Sequence, residues 1–259
     1  MDRTPGNINL EDARSALDWW RTAGVDTLIE ETPRDWLATA VPSSRRMPGS
    51  QGEPAPQSQS AEIPASAGTT PANAELPTDL LALRKHYETQ PDLPFAGIGA
   101  TRILPSGDPA SGLMMLADMP TAEDAAQGVI FSGECGLLFD RMLAAIGRDR
   151  PSIYLATLSC LAAPGGRLDA DTANQCGALA KRHVKLAAPR RLLLLGEAAI
   201  RVMTGLALPA ARGRVHAIDM DGTRVNAVAT YHPRYLLQRP AAKAGAWADL
   251  QLLAEGLVQ

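Results

Sequence analysis

From about residue 78 onward, short continuous apolar runs alternate with longer stretches of helical period. The runs LMMLAD (113–118), SIYLAT (152–157) and RLLLLG (191–196) have strand length and no polar alternation, which predicts strands buried on both faces. Between them, GECGLLFDRMLAAIG (133–147) reads as an amphipathic helix that stops at Gly147. DADTANQCGALAKRHVKLA (169–187) reads as a long helix opened by an Asp cap. The third strand runs straight into a helix, EAAIRVMTG. GRVHAI and TRVNAVATY flank Asp221-Gly222, a hairpin signal. The last helix, PAAKAGAWADLQLLAEGL, has Pro240 near its first turn, where proline is tolerated. Apolar strands separated by helices predict an α/β fold, a three-layer α/β/α sandwich around a mostly parallel central sheet.

The N-terminal third has a different pattern. Leu10, Ala13, Leu17 and Trp20 fall at near-helical spacing, Gly24 interrupts them, and VDTLIEETPRDWL follows, so residues 1–37 read as a short helical module. Three of the four tryptophans, Trp19, Trp20 and Trp36, lie there. Two readings stay open: a piece packed on the main domain, or a tethered peptide (residues 10–37) that docks on a protein partner. Residues 38–77 are Pro, Ser, Gln, Ala and Gly with few large apolar side chains. Such a stretch cannot bury enough surface to offset its chain entropy and is expected to be a disordered linker. Residues 78–259 form the principal domain.

Composition narrows the function. The 259 residues carry a net charge of −3, so any nucleic-acid binding has to come from a local basic patch. No apolar run approaches the roughly 20 residues of a membrane helix, and the first residues lack a signal peptide's apolar core. A cytoplasmic protein without membrane attachment is expected. The three cysteines are unevenly spaced and make no disulfide framework. No Gly-rich phosphate loop points to a nucleotide-dependent small-molecule enzyme.

The most informative stretch follows the apolar run VNAVATY: YHPRYLLQRP (231–240) places an imidazole and a rigid turn at a strand exit. With it come ADMPTAED (117–124), QGVIFSGECGLLFD (127–140) and RLLLLGEAAIRVMTG (191–205). In this order the four segments resemble those of the uracil-DNA glycosylase superfamily, nearest to its fourth, thermophile-type family. The resemblance covers about residues 95–257, and the His-Pro segment is its most specific part.

The resemblance implies a base-flipping site. His232 would face the extruded base and donate a hydrogen bond to the oxygen that becomes negative as the glycosidic bond breaks. Asp118 stands at the family's glutamate and would position water and stabilise the cationic sugar. Its alternative is a strand-end carboxylate capping backbone amides. Phe131 would stack on the base, although a phenylalanine in so apolar a chain is commonly core. Leu236 and Leu237 would enter the space left by the flipped base. Arg234, at a serine that contacts phosphate in the family, would hold phosphate, with Arg239, Lys243 and Arg167 on the same face.

Several positions depart from the family. Ala156 falls where an asparagine reads the edge of uracil, Ser159 replaces a lysine and Leu161 an arginine. Met119 and Thr121 crowd the loop where backbone should approach the base. The family's iron–sulfur cluster takes four cysteines, but only Cys160 and Cys176 match. No cysteine lies in residues 84–100, where the first pair should stand, and no bound cluster is expected. Cys135 reads as a small core residue. Two functions follow: a glycosylase acting on uracil or another damaged base in single- or double-stranded DNA, or a degenerate homologue that binds DNA or a protein without cleavage.

Overall fold

The computed structural model describes residues 76–97, 99–220 and 222–257. The 1–37 module, nearly all of the 38–77 segment and Asp221 lie outside them.

The described chain begins with helix α1 (Leu80–Thr89), whose N-terminus is closed by the Asp79 carboxylate accepting from the Ala82 amide at 2.8 Å. Edge strand β1 (Ser106–Gly107) precedes β2 (Leu113–Ala117). Helices α2 (Ala122–Gln127) and α3 (Gly133–Ala145) lead to β3 (Tyr154–Thr157). Helix α4 (Ala170–Ala187) crosses to β4 (Arg191–Leu195), and α5 (Glu197–Thr204) and α6 (Leu208–Ala211) follow. Strands β5 (Val215–Met220) and β6 (Thr223–Thr230) pair antiparallel, as the Asp-Gly signal predicts. Helix α7 (Pro233–Gln238) and helix α8 (Lys243–Glu255) end the domain. Pro240 sits in a 3-10 turn before α8, so the α-helix itself starts three residues later than the proline alone suggests.

Among the described residues the sheet has the order β1-β3-β2-β4-β6-β5. The central four strands are parallel and the two edge strands antiparallel. Alternate residues divide the core between the two sheet faces. Met115, Ala117, Leu193, Leu195 and Val228 pack with Phe139 and Leu143 of α3 and Leu250 of α8. Met114, Leu116, Leu192, Leu194 and Ala227 pack with Val184 of α4 and Ile200 of α5. This is the three-layer α/β/α sandwich.

The strand order also places the site. From β2 the chain moves to β3 on one side, while from β4 it moves to β5 and β6 on the other. Parallel α/β sheets hold ligands in the crevice outside the carboxyl ends of the strands where the order reverses. Here that crevice lies beyond Ala117 and Leu195. No helix among the described residues is long and apolar enough to cross a membrane.

Candidate active site

Asp118 follows β2 directly and turns toward the start of α5. Its Oδ1 accepts from the Ala199 amide at 2.7 Å, satisfying one of the orphan donors at that helix end. Gly196, between β4 and α5, has φ +108°, and a Cβ there would collide with the Asp118 carboxylate. Only glycine allows this approach. Burial raises the Asp118 carboxyl to about 6; the amides of Ala199 and Ala198 and the charge of Arg234 pull the other way. The backbone-capping alternative for Asp118 is therefore realised, while the carboxyl is also poised to titrate near neutral pH.

His232 is the N-cap of α7 and is 7% exposed. Its Nδ1 accepts from the Arg234 amide at 3.2 Å, so in the neutral ring the proton sits on Nε2. Burial, helped by the Arg234 charge and opposed by Asp124, lowers the imidazole to about 3. The Nε2 is buried and has no partner among the described residues. The result is a neutral, fixed donor. Thr230, two residues earlier, likewise has a buried hydroxyl with no partner. Buried polar groups are ordinarily bonded, so two orphans at one strand end mark a seat for polar ligand atoms.

Phe131 lies edge-on to His232 with ring centroids 5.2 Å apart, and tilted against Phe139 at 4.5 Å. Its backbone is left-handed, φ +58°, a conformation that costs a non-glycine residue about 1–2 kcal/mol. Two charged side chains hold it there. On one side the Arg150 guanidinium donates to the carbonyls of Ile130 and Phe131, each at 2.7 Å, while Asp140 anchors its Nε at 2.6 Å. On the other, buried Asp124 accepts from the Ser132 amide and hydroxyl, each at 2.6 Å, and from the Thr121 amide at 2.9 Å. Burial alone would raise the Asp124 carboxyl, but these bonds from Ser132 and Thr121 bring it below the usual carboxylate range. Asp124 is legible in retrospect as the acidic member of the Thr121 capping box. Arg150 reaches back 19 and 20 residues and has no local signal.

The other sequence-derived positions divide. Arg234 is partly exposed, and its charge bears on both His232 and Asp118, so these three are brought together. Met119 is buried at 3% exposure beside Asp118. Ala156 pairs with Leu116 and packs in the core on the sheet face opposite to that of Phe131. Arg239 and Arg167 are exposed at the ends of α7 and of the 3-10 turn after β3. Lys243, at the start of α8, is buried at 8% and does not stand on the surface with them. Leu236 requires a correction: it is wholly buried with Phe139 and Leu250, because the α7 turn points it inward. Leu237 and Tyr235 are the α7 apolar side chains exposed to solvent. Tyr235 carries no signal at the sequence level beyond its place in the loop. Cys135, in the first turn of α3, is half-buried against the core.

A family model described as Uracil DNA glycosylase superfamily matches residues 104–251, more than half of the chain. The chain belongs to this superfamily. It is similar to the Type-4 uracil-DNA glycosylase of Archaeoglobus fulgidus, 24% identical over 156 residues, which cover 58% of this chain and 78% of that protein. It is also similar to the Type-4 uracil-DNA glycosylase of Pyrobaculum aerophilum, 23% identical over 157 residues, 58% of this chain and 80% of that one.

The resemblance to the fourth family raises the matter of an iron–sulfur cluster. Cys160 is buried in one cluster with Tyr87, itself 2% exposed, and with Leu83, Leu161 and Leu179, and Leu93 and Phe95 of the 84–100 segment pack against it. Cys176 is buried in a neighbouring group with Leu158, Ala173 and Ala180. Tyr87 in turn meets the ring of His183, whose Nε2 pairs with the Tyr154 hydroxyl at 2.9 Å. Burial pushes the Cys160 thiol up to about 11 and the Cys176 thiol up to about 12, away from the thiolate a metal requires. Among the described residues no three His, Cys, Asp or Glu side chains are grouped to hold a metal ion. The residues present do not fit a four-thiolate cluster.

Proposed function

We propose that this superfamily member is a DNA glycosylase that hydrolyses the N-glycosidic bond of uracil or another damaged base. The observation that carries the reading is His232: a buried neutral imidazole with its Nε2–H free, set edge-on to Phe131 beside the sheet crevice. In the reaction the C1′–N bond breaks and its electron pair leaves with the base. The His232 Nε2–H donates to the base oxygen that takes up this charge, without having to be protonated. Phe131 offers its ring to the flipped base. The Asp118 carboxylate stabilises the cationic sugar and orients water, whose oxygen bonds to C1′ and keeps one hydrogen as the new hydroxyl while its other proton passes, through solvent, to the base anion. Arg234, Arg239 and Arg167 contribute phosphate contacts.

Ala156 favours a second reading, a homologue that binds DNA without cleaving it. Its methyl group lies on the sheet face opposite to that of Phe131 and offers no bond to a base edge, and a site lacking such bonds loses discrimination. Incubation of the full chain with single- and double-stranded DNA carrying uracil, hypoxanthine or xanthine separates the two. Abasic product from any of these strands supports the enzyme; DNA binding with no product from all of them supports the binder.

In this reading the protein works without an iron–sulfur cluster, since Tyr87 and its apolar neighbours fill the surroundings of Cys160. Protein purified without oxygen is expected to be colourless and free of stoichiometric iron. Brown protein absorbing near ~400 nm would overturn this.

A further inference from the structure

We propose that Tyr235 is a nucleobase platform: its open face stacks on an unpaired base of the DNA strand next to the nucleotide held at His232. The proposal extends the DNA-glycosylase reading of the same site. The Tyr231 and Tyr235 rings are stacked, with centroids 5.0 Å apart and planes 16° from parallel. Behind them the Arg212 guanidinium lies 4.0 Å from the Tyr231 ring centroid. Arg212 is itself fixed. Its Nε donates to Asp249 Oδ2 at 2.7 Å, and the other oxygen of this buried carboxylate accepts from the Gly213 amide at 3.1 Å. Gly245 of α8 runs so close to the guanidinium that any Cβ would collide with it.

Asp249, Arg212, Tyr231 and Tyr235 thus form one column, rooted in the core and ending at a tyrosine that is 44% exposed. A tyrosine needed only for packing would be covered. This one is backed by Tyr231 and still leaves close to half of its surface to solvent, three residues after His232 and on the same turn. A flat aromatic surface held rigid before binding loses little entropy when a base stacks on it. Every base has a π-face, so such a contact grips the strand without reading its sequence. The buried Leu236 cannot serve as an intercalating wedge in this conformation, which leaves the exposed apolar contact of α7 to Tyr235 and Leu237.

The test uses the full chain and single-stranded DNA containing a tetrahydrofuran abasic analogue, with the fluorescent base 2-aminopurine on its 5′ side in one strand and its 3′ side in another. Stacking quenches 2-aminopurine, and the readout requires no excision. The wild-type protein is expected to quench one of the two strands. Y235F should retain the quench and the affinity. Y235A and Y235L should lose the quench and bind about tenfold or more weakly, the scale of one lost base–aromatic stack. Undiminished quench and affinity in Y235A would overturn the platform. So would a Y235L protein that behaves as Y235F, since an apolar wedge rather than a π-face would then suffice. Tyr235-dependent quench in a protein that excises no base would sink the excision reading and leave the platform standing. Excision with quenching independent of Tyr235 would do the reverse.

Discussion

His232→Ala is expected to slow base excision by about 10²- to 10³-fold in single-turnover assays, the usual consequence of losing one pre-oriented donor to a developing oxyanion. The magnitude follows from the environment. The imidazole is buried, its Nδ1 accepts from the Arg234 amide, and its Nε2–H has no partner among the described residues. Affinity for DNA containing the abasic analogue should change little, because phosphate contacts dominate binding. A rate that falls only in step with affinity would show that His232 holds the loop and takes no part in bond breaking. Since burial lowers the imidazole to about 3, the ring stays neutral across the working pH range and contributes no limb to the rate profile there.

The pH limb should belong to Asp118. Its folded-state carboxyl titrates at about 6, raised from the usual range chiefly by burial. A raised carboxyl is protonated below that value and charged above it. If the charged form stabilises the cationic sugar, excision is expected to be constant above pH ~7 and to fall toward tenfold per unit below about pH 6. Asp118→Asn should reduce the plateau by about 10²-fold and abolish the limb. This substitution isolates charge from structure. An asparagine oxygen can still accept the Ala199 amide, and asparagine caps helices about as well as aspartate. An Asp118→Asn protein with full activity and the same acid limb would mean that Asp118 serves α5 and not the reaction.

The resemblance had already put His232, Asp118 and Phe131 in one site, but it left each with a plainer alternative. For Phe131 the core reading is met, since its ring packs on Phe139, while its edge contact with His232 supports the proposal that it also stacks on a base. For Asp118 the helix-end contact is present, and only the titration and the asparagine variant distinguish added chemistry from capping. Leu236 was indistinguishable from Leu237 in the written sequence. On a helix, adjacent residues point about 100° apart, and which of them faces the core depends on where α3 and α8 lie.

By itself, the sequence determined what depends on near neighbours. Continuous apolar runs marked β2, β3 and β4, the Asp169 cap marked the start of α4, and the Asp-Gly pair marked the β5–β6 hairpin. These rest on side-chain period and on local hydrogen bonds, which act over a few residues. Only the tertiary structure decided which nitrogen of His232 is free, which carboxylate meets α5, and what holds Phe131 in its left-handed turn. Asp118 reaches an amide 81 residues away, Arg150 reaches back to carbonyls 19 and 20 residues earlier, and Asp249 anchors a guanidinium 37 residues before it. Such contacts form because the sheet brings distant strand ends together, and burial then requires every polar group there to find a partner or await one.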